Sequence, residues 1–234
     1  MAVATATEHE TRRGAPRILR AGRHAGIGGL VFVAALVVQN LLRARGPGFD
    51  AAPGTVTAYF LHHRAAALIP LGMFPIEMLA LFAFVAGVWT SASRSENRWW
   101  ATMGTLGVAA IASLFAIVNI IEIVLTAKAE NLAHSPGVVG ALWAMHGAAF
   151  GLDLAAIAVA LIELSRAATA AALIPARLGA AVLPGAGCLL IASVFTVALT
   201  NGGPWLALGL VGFFLWLVFM VATSVSLLRT PQIP

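Results

Sequence analysis

Six apolar runs alternate with short polar stretches along most of the chain. The runs cover residues 25–42, 65–90, 101–125, 141–163, 179–200 and 205–228. Each is close to the ~20 residues that an α-helix needs to cross a bilayer. Backbone groups inside a bilayer must be hydrogen-bonded within the segment that crosses it, which favours helices. The pattern therefore predicts an all-α, polytopic membrane protein with six transmembrane helices in one bundle.

Three of the connecting stretches also predict local structure. The sequence "TVTAYFLHHR" before the second run predicts a short amphipathic helix on the membrane surface. The sequence "NGGP" predicts a tight turn between the last two spans. Residues 167–176, "AATAAALIPA", are apolar but too short to span, so we expect them to lie along the interface.

The two ends of the chain are polar and are expected to lie outside the bilayer. Residues 1–24 are predicted to form a basic, flexible tail, and residues 230–234 a short second tail. The run at 25–42 ends in arginines and not at an Ala-x-Ala site, so we interpret it as an uncleaved span instead of a signal peptide. The transmembrane domain accordingly covers residues 25–229.

The distribution of Lys and Arg predicts the orientation. If the N-terminus is inside, the inner segments hold ten of the 14 basic residues and the outer segments hold four. The positive-inside rule then places both termini in the cytoplasm and the protein in the cell membrane. The formal charge of +5 follows from this bias. Since no long basic run with interleaved aromatic residues is present, no nucleic-acid partner is expected.

Composition agrees with a membrane class. The 234 residues are 60% hydrophobic and 10% charged, whereas soluble domains are about 25% charged. The mean hydropathy is +0.93. With a single cysteine, Cys188, an intramolecular disulfide is excluded.

Two carboxylates lie at the middle of predicted spans. Glu77 is near the midpoint of the run 65–90, and Asp153 is next to the midpoint of the run 141–163. A charged acid at this depth costs roughly 2.5–3.5 kcal/mol on insertion scales, so it normally faces the bundle interior and marks a functional site. Glu77 and Asp153 are therefore the candidate catalytic residues, and we expect them to share one cavity.

Further polar residues lie in the predicted outer half. Asn119 and Glu122 are three residues apart and so share a helix face, and His146 shares a face with Asp153. We expect His146 and Glu122 to face each other, because antiparallel helices joined by a short loop pack side by side. Together with Arg64 at the outer mouth of the second span, they form the candidate substrate-binding set. For Glu122 alone, a structural role in fixing helix register is the preferred interpretation.

Several stretches resemble a broad group of six-helix membrane proteins of high-GC bacteria. These are "AGIGGLVFVAALVV", "VTAYFLHHR", "LIPARLG" and "LWLVFMVATSVSLLR". That resemblance implies a topology and no activity. The stretch "PIEMLALF" is similar to the Pro-x-Glu-Glu stretch of membrane-embedded lycopene cyclases, with Met78 in place of the second acid. It implies acid chemistry that only Glu77 would carry.

These residues leave four functions open. The first, which we favour, is a membrane protein of unassigned activity with a polar cavity between its helices. The second is a lipid-phase enzyme in which one of Glu77 and Asp153 protonates an isoprenoid and the other stabilises the cation. The third is a small proton-linked carrier. The fourth is haem or metal binding by His146 with His62 or His63, although two histidines without fixed spacing are a weak signal and no metal site or cofactor is assigned.

The expected partners are the lipid bilayer and a lipophilic small molecule. Gly147 and Gly151 form a small-xxx-small pair on the fourth span. Such a pair lets two helix backbones approach closely in lipid. It suits packing within one bundle or, as the rarer alternative, a homodimer.

Overall fold

The computed structural model describes residues 3–93 and 98–229, with side chains from residue 22 onward. The tail predicted for residues 230–234 lies outside this part. Within the described ranges the chain forms nine helices and no strand. They are α1 (Val3–Arg43), α2 (Pro53–His62), α3 (Arg64–Ala92), α4 (Arg98–Ala127), α5 (Ala129–Leu132), α6 (Pro136–Ala170), α7 (Ala176–Val194), α8 (Thr196–Thr200) and α9 (Trp205–Arg229).

Six of these helices are long and apolar enough to cross a membrane. They are α3, α4, α6, α7, α9 and the Gly22–Arg43 part of α1. This confirms the prediction of an all-α protein with six spans. The stretch predicted as a flexible tail over residues 1–24 is helical from Val3 onward, where α1 begins. The Ala, Glu and Arg residues of that stretch have high helix propensity, which favours the extension.

The six long helices pack in a closed ring. Each contacts its neighbours along the chain, in the order α1, α3, α4, α6, α7 and α9, and α9 returns to contact α1. α6 also contacts α3 and α9 across the ring. Small residues allow the closest approaches: a Cβ atom added at Gly107 of α4 would lie 2.9 Å from the Ala160 nitrogen of α6.

The run 179–200, predicted as one span, is broken at Phe195. α7 ends at Val194 and the short α8 follows the break. Two contacts favour the break. The Phe195 ring stacks on Trp205 with centroids 3.9 Å apart. The Thr196 hydroxyl donates to the Ser193 carbonyl at 2.6 Å, and such local bonds compete with the helix backbone.

Residues 167–176, predicted to lie along the interface, are divided between the end of α6 and a turn. α6 continues through Ala170, because a run of alanine has the highest helix propensity. The chain then turns at Ala172, which has φ of 54°, and the Leu173 N–H donates to the Ala168 carbonyl at 2.8 Å. This is a left-handed helix cap, and it buries Ile174.

The two other connecting stretches form the predicted helix and the predicted turn. The stretch before the second span forms α2, with Pro53 in its first turn. In the "NGGP" turn, Gly202 has φ of +77° and the Gly203 N–H donates to the Ala198 carbonyl at 2.8 Å. A Cβ atom at Gly202 would also lie 2.6 Å from the Asp50 carboxylate, so both the backbone conformation and the available space require glycine here.

The glycine pair of α6 packs within the chain. A Cβ atom at Gly147 would lie 2.7 Å from the Thr200 side chain, and one at Gly151 would meet Thr196. Both threonines belong to α8. The pair therefore allows close packing within one bundle, which is the first of the two predicted alternatives. α8 occupies the face that a homodimer through Gly147 and Gly151 would need.

Candidate functional site

A cavity of about 610 Å³ lies inside the helix ring. Its walls come from α1, α2, α3, α4, α6, α8 and α9, and most of its lining side chains are apolar. Its volume falls in the range of pockets that hold small organic ligands, about 300–1,000 Å³. The lining residues with polar side-chain groups are Asn40, Arg43, Asp50, Tyr59, Glu122, Trp143, His146 and Asp153.

Residues 44–50, between α1 and α2, cover one end of the cavity, which we call the loop end. The Trp143 indole of α6 donates to the Gly48 carbonyl at 2.9 Å. The Phe49 ring lies 5.0 Å from Phe150 and 5.8 Å from His146 between centroids. The 44–50 segment is thus held against α6 by one hydrogen bond and by ring contacts.

Four side chains form a polar cluster at the loop end, which we call the Glu122 cluster. Arg43 Nη2 donates to Glu122 Oε2 at 2.7 Å, and His146 Nε2 lies 3.0 Å from Glu122 Oε1. Arg43 Nη2 also donates to Asn119 Oδ1 at 3.3 Å. The carboxylate therefore has a partner on each oxygen, and the cluster joins α1, α4 and α6.

Local structure holds each member of the Glu122 cluster in place. The Asn119 amide donates to the Phe115 carbonyl at 2.8 Å, which aims its oxygen at Arg43. The Arg43 guanidinium lies 5.2 Å from the centre of the Phe115 ring, close enough for a cation–π contact. The His146 ring stacks on Trp143 with centroids 4.4 Å apart and 8° between planes.

The predicted pairing of His146 with Glu122 is confirmed. Glu122 is only 8% exposed, because Arg43 and His146 hold it inside. Sequence reasoning missed Arg43, which it treated only as a flank of the first span. The depth of Arg43 in the membrane could have indicated its role, since this arginine ends α1 at the level of Glu122 and His146.

Asp153 lines the same cavity, farther from the loop end. It follows His146 by seven residues on α6, which places it on the same face about 10 Å deeper. It is 7% exposed, and within the described ranges its Oδ1 has no hydrogen-bond partner. Asp153 is thus a buried carboxyl that faces an apolar cavity without a partner from the chain.

Glu77 is not among the cavity-lining residues, so the expectation that it shares a cavity with Asp153 is wrong. α3 presents Ala67, Pro70 and Met78 to the cavity, whereas the Glu77 side chain is covered by its neighbours. It is 0% exposed. The Gln39 side chain lies beside it and donates to the Pro70 carbonyl at 3.0 Å.

Arg64 of the predicted substrate-binding set lies elsewhere. It is exposed and lines a separate cavity of about 160 Å³ with Lys128 and Glu130. His62 and His63 are also exposed. Among the described residues, no three His, Cys, Asp or Glu side chains come together in a group that could hold a metal ion.

Tyr59 belongs to α2, outside the spans, and lines the cavity. The pKa of its hydroxyl responds to the charges of the Glu122 cluster. Burial raises the pKa of the Tyr59 hydroxyl above its ordinary value. The negative charge of Glu122 raises this pKa further, and the positive charge of Arg43 opposes both effects.

The cavity therefore has an apolar interior, a charge-balanced cluster at the loop end and an unpartnered carboxyl at greater depth. It can enclose a small lipophilic molecule and form hydrogen bonds to it both at the loop end and at Asp153. Of the residues predicted from sequence, it brings together Glu122, His146 and Asp153, with Asn119 behind Arg43. Comparison with family models, with curated proteins and with solved structures finds no match to this chain.

Proposed function

We propose that this integral membrane protein binds a lipophilic small molecule in the cavity inside its helix ring. The observation that carries the proposal is Asp153. A buried polar group without a partner costs about 1–3 kcal/mol, and the carboxyl lines a cavity large enough for a ligand. A ligand that donates a hydrogen bond to Asp153 would remove that cost.

The cavity walls favour an apolar ligand body. Aromatic rings from several helices line it, namely Phe32, Phe115, Phe150, Phe213 and Trp216. Burial of apolar ligand surface against them contributes about 25 cal/mol per Å². Water gains much less there, because a buried water molecule needs two to four polar partners.

Acid catalysis on an alkene is the second candidate. The aromatic lining supports it, since aromatic faces stabilise a developing cation. The version with two carboxylates is not supported, because Glu77 lies off the cavity. Asp153 alone would then have to supply the proton and stabilise the product cation, so we rank binding first.

We further propose that the protein lies in the cell membrane with both termini in the cytoplasm. The ten-to-four distribution of basic residues supports this orientation. The loop end of the cavity would then face outward. Reporter fusions after residues 50, 95, 132, 170, 202 and 234 test it, and periplasmic activity at 95 or 170 would overturn it.

The binding proposal is tested by filling the cavity. Val118 is a buried lining residue of α4, and Val118→Phe places a ring in the cavity. Ala67→Leu is a smaller filling on α3, for use if the first variant does not fold. Glu77→Gln is the matched control, because it changes a buried acid that does not line the cavity.

The readout is thermal unfolding of the purified protein in detergent with medium-chain alcohols, amines and acids. A ligand present at 100 times its Kd stabilises by about 2.7 kcal/mol. We expect stabilisation of the wild type and of Glu77→Gln, and its loss in the filled variants. Equal shifts in the filled variants, or no shift of the wild type with any compound, would refute the proposal. Mass spectrometry of the recovered ligand separates binding from catalysis, since only catalysis alters its structure.

A further inference from the structure

We infer that the ligand is a neutral, elongated lipophilic molecule with a hydroxyl-type group at each of two points about 10 Å apart. One group meets Arg43 and His146 at the loop end, and the other meets Asp153. This inference rests on the proposed function and specifies its ligand.

The loop end offers both a donor and an acceptor to a ligand. Arg43 Nε and His146 Nδ1 are buried, belong to cavity-lining residues and have no hydrogen-bond partner within the described part of the chain. The arginine nitrogen is always a donor. His146 Nε2 is bonded to Glu122, which accepts, so in the neutral imidazole the proton sits on Nε2 and Nδ1 is an acceptor. A hydroxyl suits this end because it both donates and accepts.

Charge balance favours a neutral group here. Glu122 already has Arg43 as its ionic partner. A ligand carboxylate would add a second negative charge to a buried site with one arginine, and an unpaired buried charge is costly. An ammonium group at this position would be repelled by the adjacent charge of Arg43. A hydroxyl adds neither.

The α6 face fixes the spacing between the two groups. His146, Phe150 and Asp153 all line the cavity from this helix and lie on one face, since they are four and then three residues apart. The rise of 1.5 Å per residue puts the two polar positions about 10 Å apart, with an aromatic ring between them. The wall is therefore polar, apolar and polar in turn, which matches a molecule with two polar ends and an apolar middle.

The deep end also suits a hydroxyl. Asp153 lines the cavity, and its buried Oδ1 has no partner among the described residues. An ionised carboxylate accepts from a hydroxyl, and a protonated one can also donate to it. A hydroxyl therefore satisfies Asp153 in either state, whereas an ether or a plain alkyl end does not.

The test compares octanediol, with a hydroxyl at each end, against octanol and ω-hydroxyoctanoate. Dissociation constants are measured by titration calorimetry on purified wild-type protein in detergent. We expect octanediol to bind about tenfold more tightly than octanol, since one buried hydrogen bond is worth about that ratio. We expect ω-hydroxyoctanoate to bind more weakly than octanediol. Tighter binding of the carboxylate would overturn the neutral-ligand inference.

Three variants locate the effect. Asp153→Leu and, separately, His146→Phe should reduce the octanediol-to-octanol ratio to near one. Asp153→Asn, which keeps an acceptor, should retain most of the ratio. Glu77→Gln should leave both affinities at wild-type values.

The outcomes separate the two proposals. Equal affinity of octanol and octanediol for the wild type would overturn the two-ended ligand but would leave lipophile binding intact. A tenfold preference that survives Asp153→Leu would also overturn it. Failure of all three compounds to bind, together with no stabilisation by the wider set of lipophiles, would refute the proposed function itself.

Discussion

Two acids of one cavity, Glu122 and Asp153, have opposite surroundings. Both lie on long helices and both are buried. Glu122 is bonded to Arg43 from α1 and to His146 from α6. Asp153 Oδ1 has no such partner in the described ranges. The paired acid joins three helices at one end of the bundle, and the unpaired acid retains a hydrogen-bonding capacity that no described side chain uses.

The energetics of burial explain why the two acids differ in role. A buried ion pair adds little net stability, but removal of one partner leaves a charge in a low-dielectric interior and is strongly destabilising. The Glu122 cluster is therefore costly to break. Asp153 has no ion-pair partner to lose, so its replacement should alter binding more than folding.

The largest expected effect comes from breaking the cluster at its cation. Arg43→Met should destabilise the protein by about 3 kcal/mol or more, because it leaves the Glu122 charge without its ionic partner. The measurement is thermal or chemical unfolding in detergent. Arg45→Met is the matched control at an exposed position two residues later, and it should change stability by less than about 0.5 kcal/mol.

A double variant sharpens this result. Arg43→Met combined with Glu122→Gln removes both charges, so it should recover part of the loss seen in the single variant. Additive losses in the double variant would show that the pair does not couple α1 to α4.

The next effect contrasts the two acids directly. Glu122→Gln should lose about 2 kcal/mol, since Arg43 and His146 then face a neutral amide. Asp153→Asn should leave stability nearly unchanged in the absence of ligand. Unfolding curves of both variants, measured without added lipophile, compare the two. Equal losses at the two positions would contradict the distinction between a paired structural acid and an unpaired binding acid.

A smaller effect is expected where the 44–50 segment meets α6. Trp143→Phe removes the hydrogen bond to the Gly48 carbonyl and should cost about 1 kcal/mol. Hydrogen exchange of residues 44–50 should become faster, because the segment loses its hydrogen-bonded anchor. Trp99→Phe, at a side chain that is 63% exposed, is the control and should leave that exchange unchanged.

Most of the fold could be predicted because apolar run length sets the spans of a membrane protein. The run at 179–200 was predicted as one helix, because the length of an apolar run carries no information about a break such as the one at Phe195. That break depends on contact with an aromatic ring of α9. The continuation of α6 beyond residue 166 was not predicted, because alanines suit both an interfacial segment and a longer helix. Tertiary contacts decided both cases.

The candidate site was only partly predictable, because depth in the membrane can be read from a sequence but rotation about the helix axis cannot. Depth and a short loop were enough to pair Glu122 with His146. Depth alone placed Glu77 and Asp153 together, yet neighbouring side chains cover Glu77 and it does not line the cavity. Arg43 was missed because an arginine at the end of a span also fits a role at the membrane surface.

The smallest expected effect is a change in the titration of Tyr59, which reads the charge of the Glu122 cluster from outside the spans. Tyr59 is the single tyrosine of the chain, so tyrosinate absorbance reports on it alone. Burial and the Glu122 charge raise the pKa of its hydroxyl above the ordinary value of about 10, against the effect of Arg43. The folded protein should therefore titrate at higher pH than the protein unfolded in guanidinium. Because the folded pKa is the higher one, the neutral hydroxyl stabilises the fold below about pH 10, and this contribution is lost as the pH rises through the folded pKa.

Glu122→Gln should lower the midpoint of the Tyr59 titration in the folded protein and Arg43→Met should raise it, whereas Asp153→Asn should leave it in place. A midpoint that does not respond to Glu122→Gln would show that the cluster's charge does not reach the cavity wall at Tyr59.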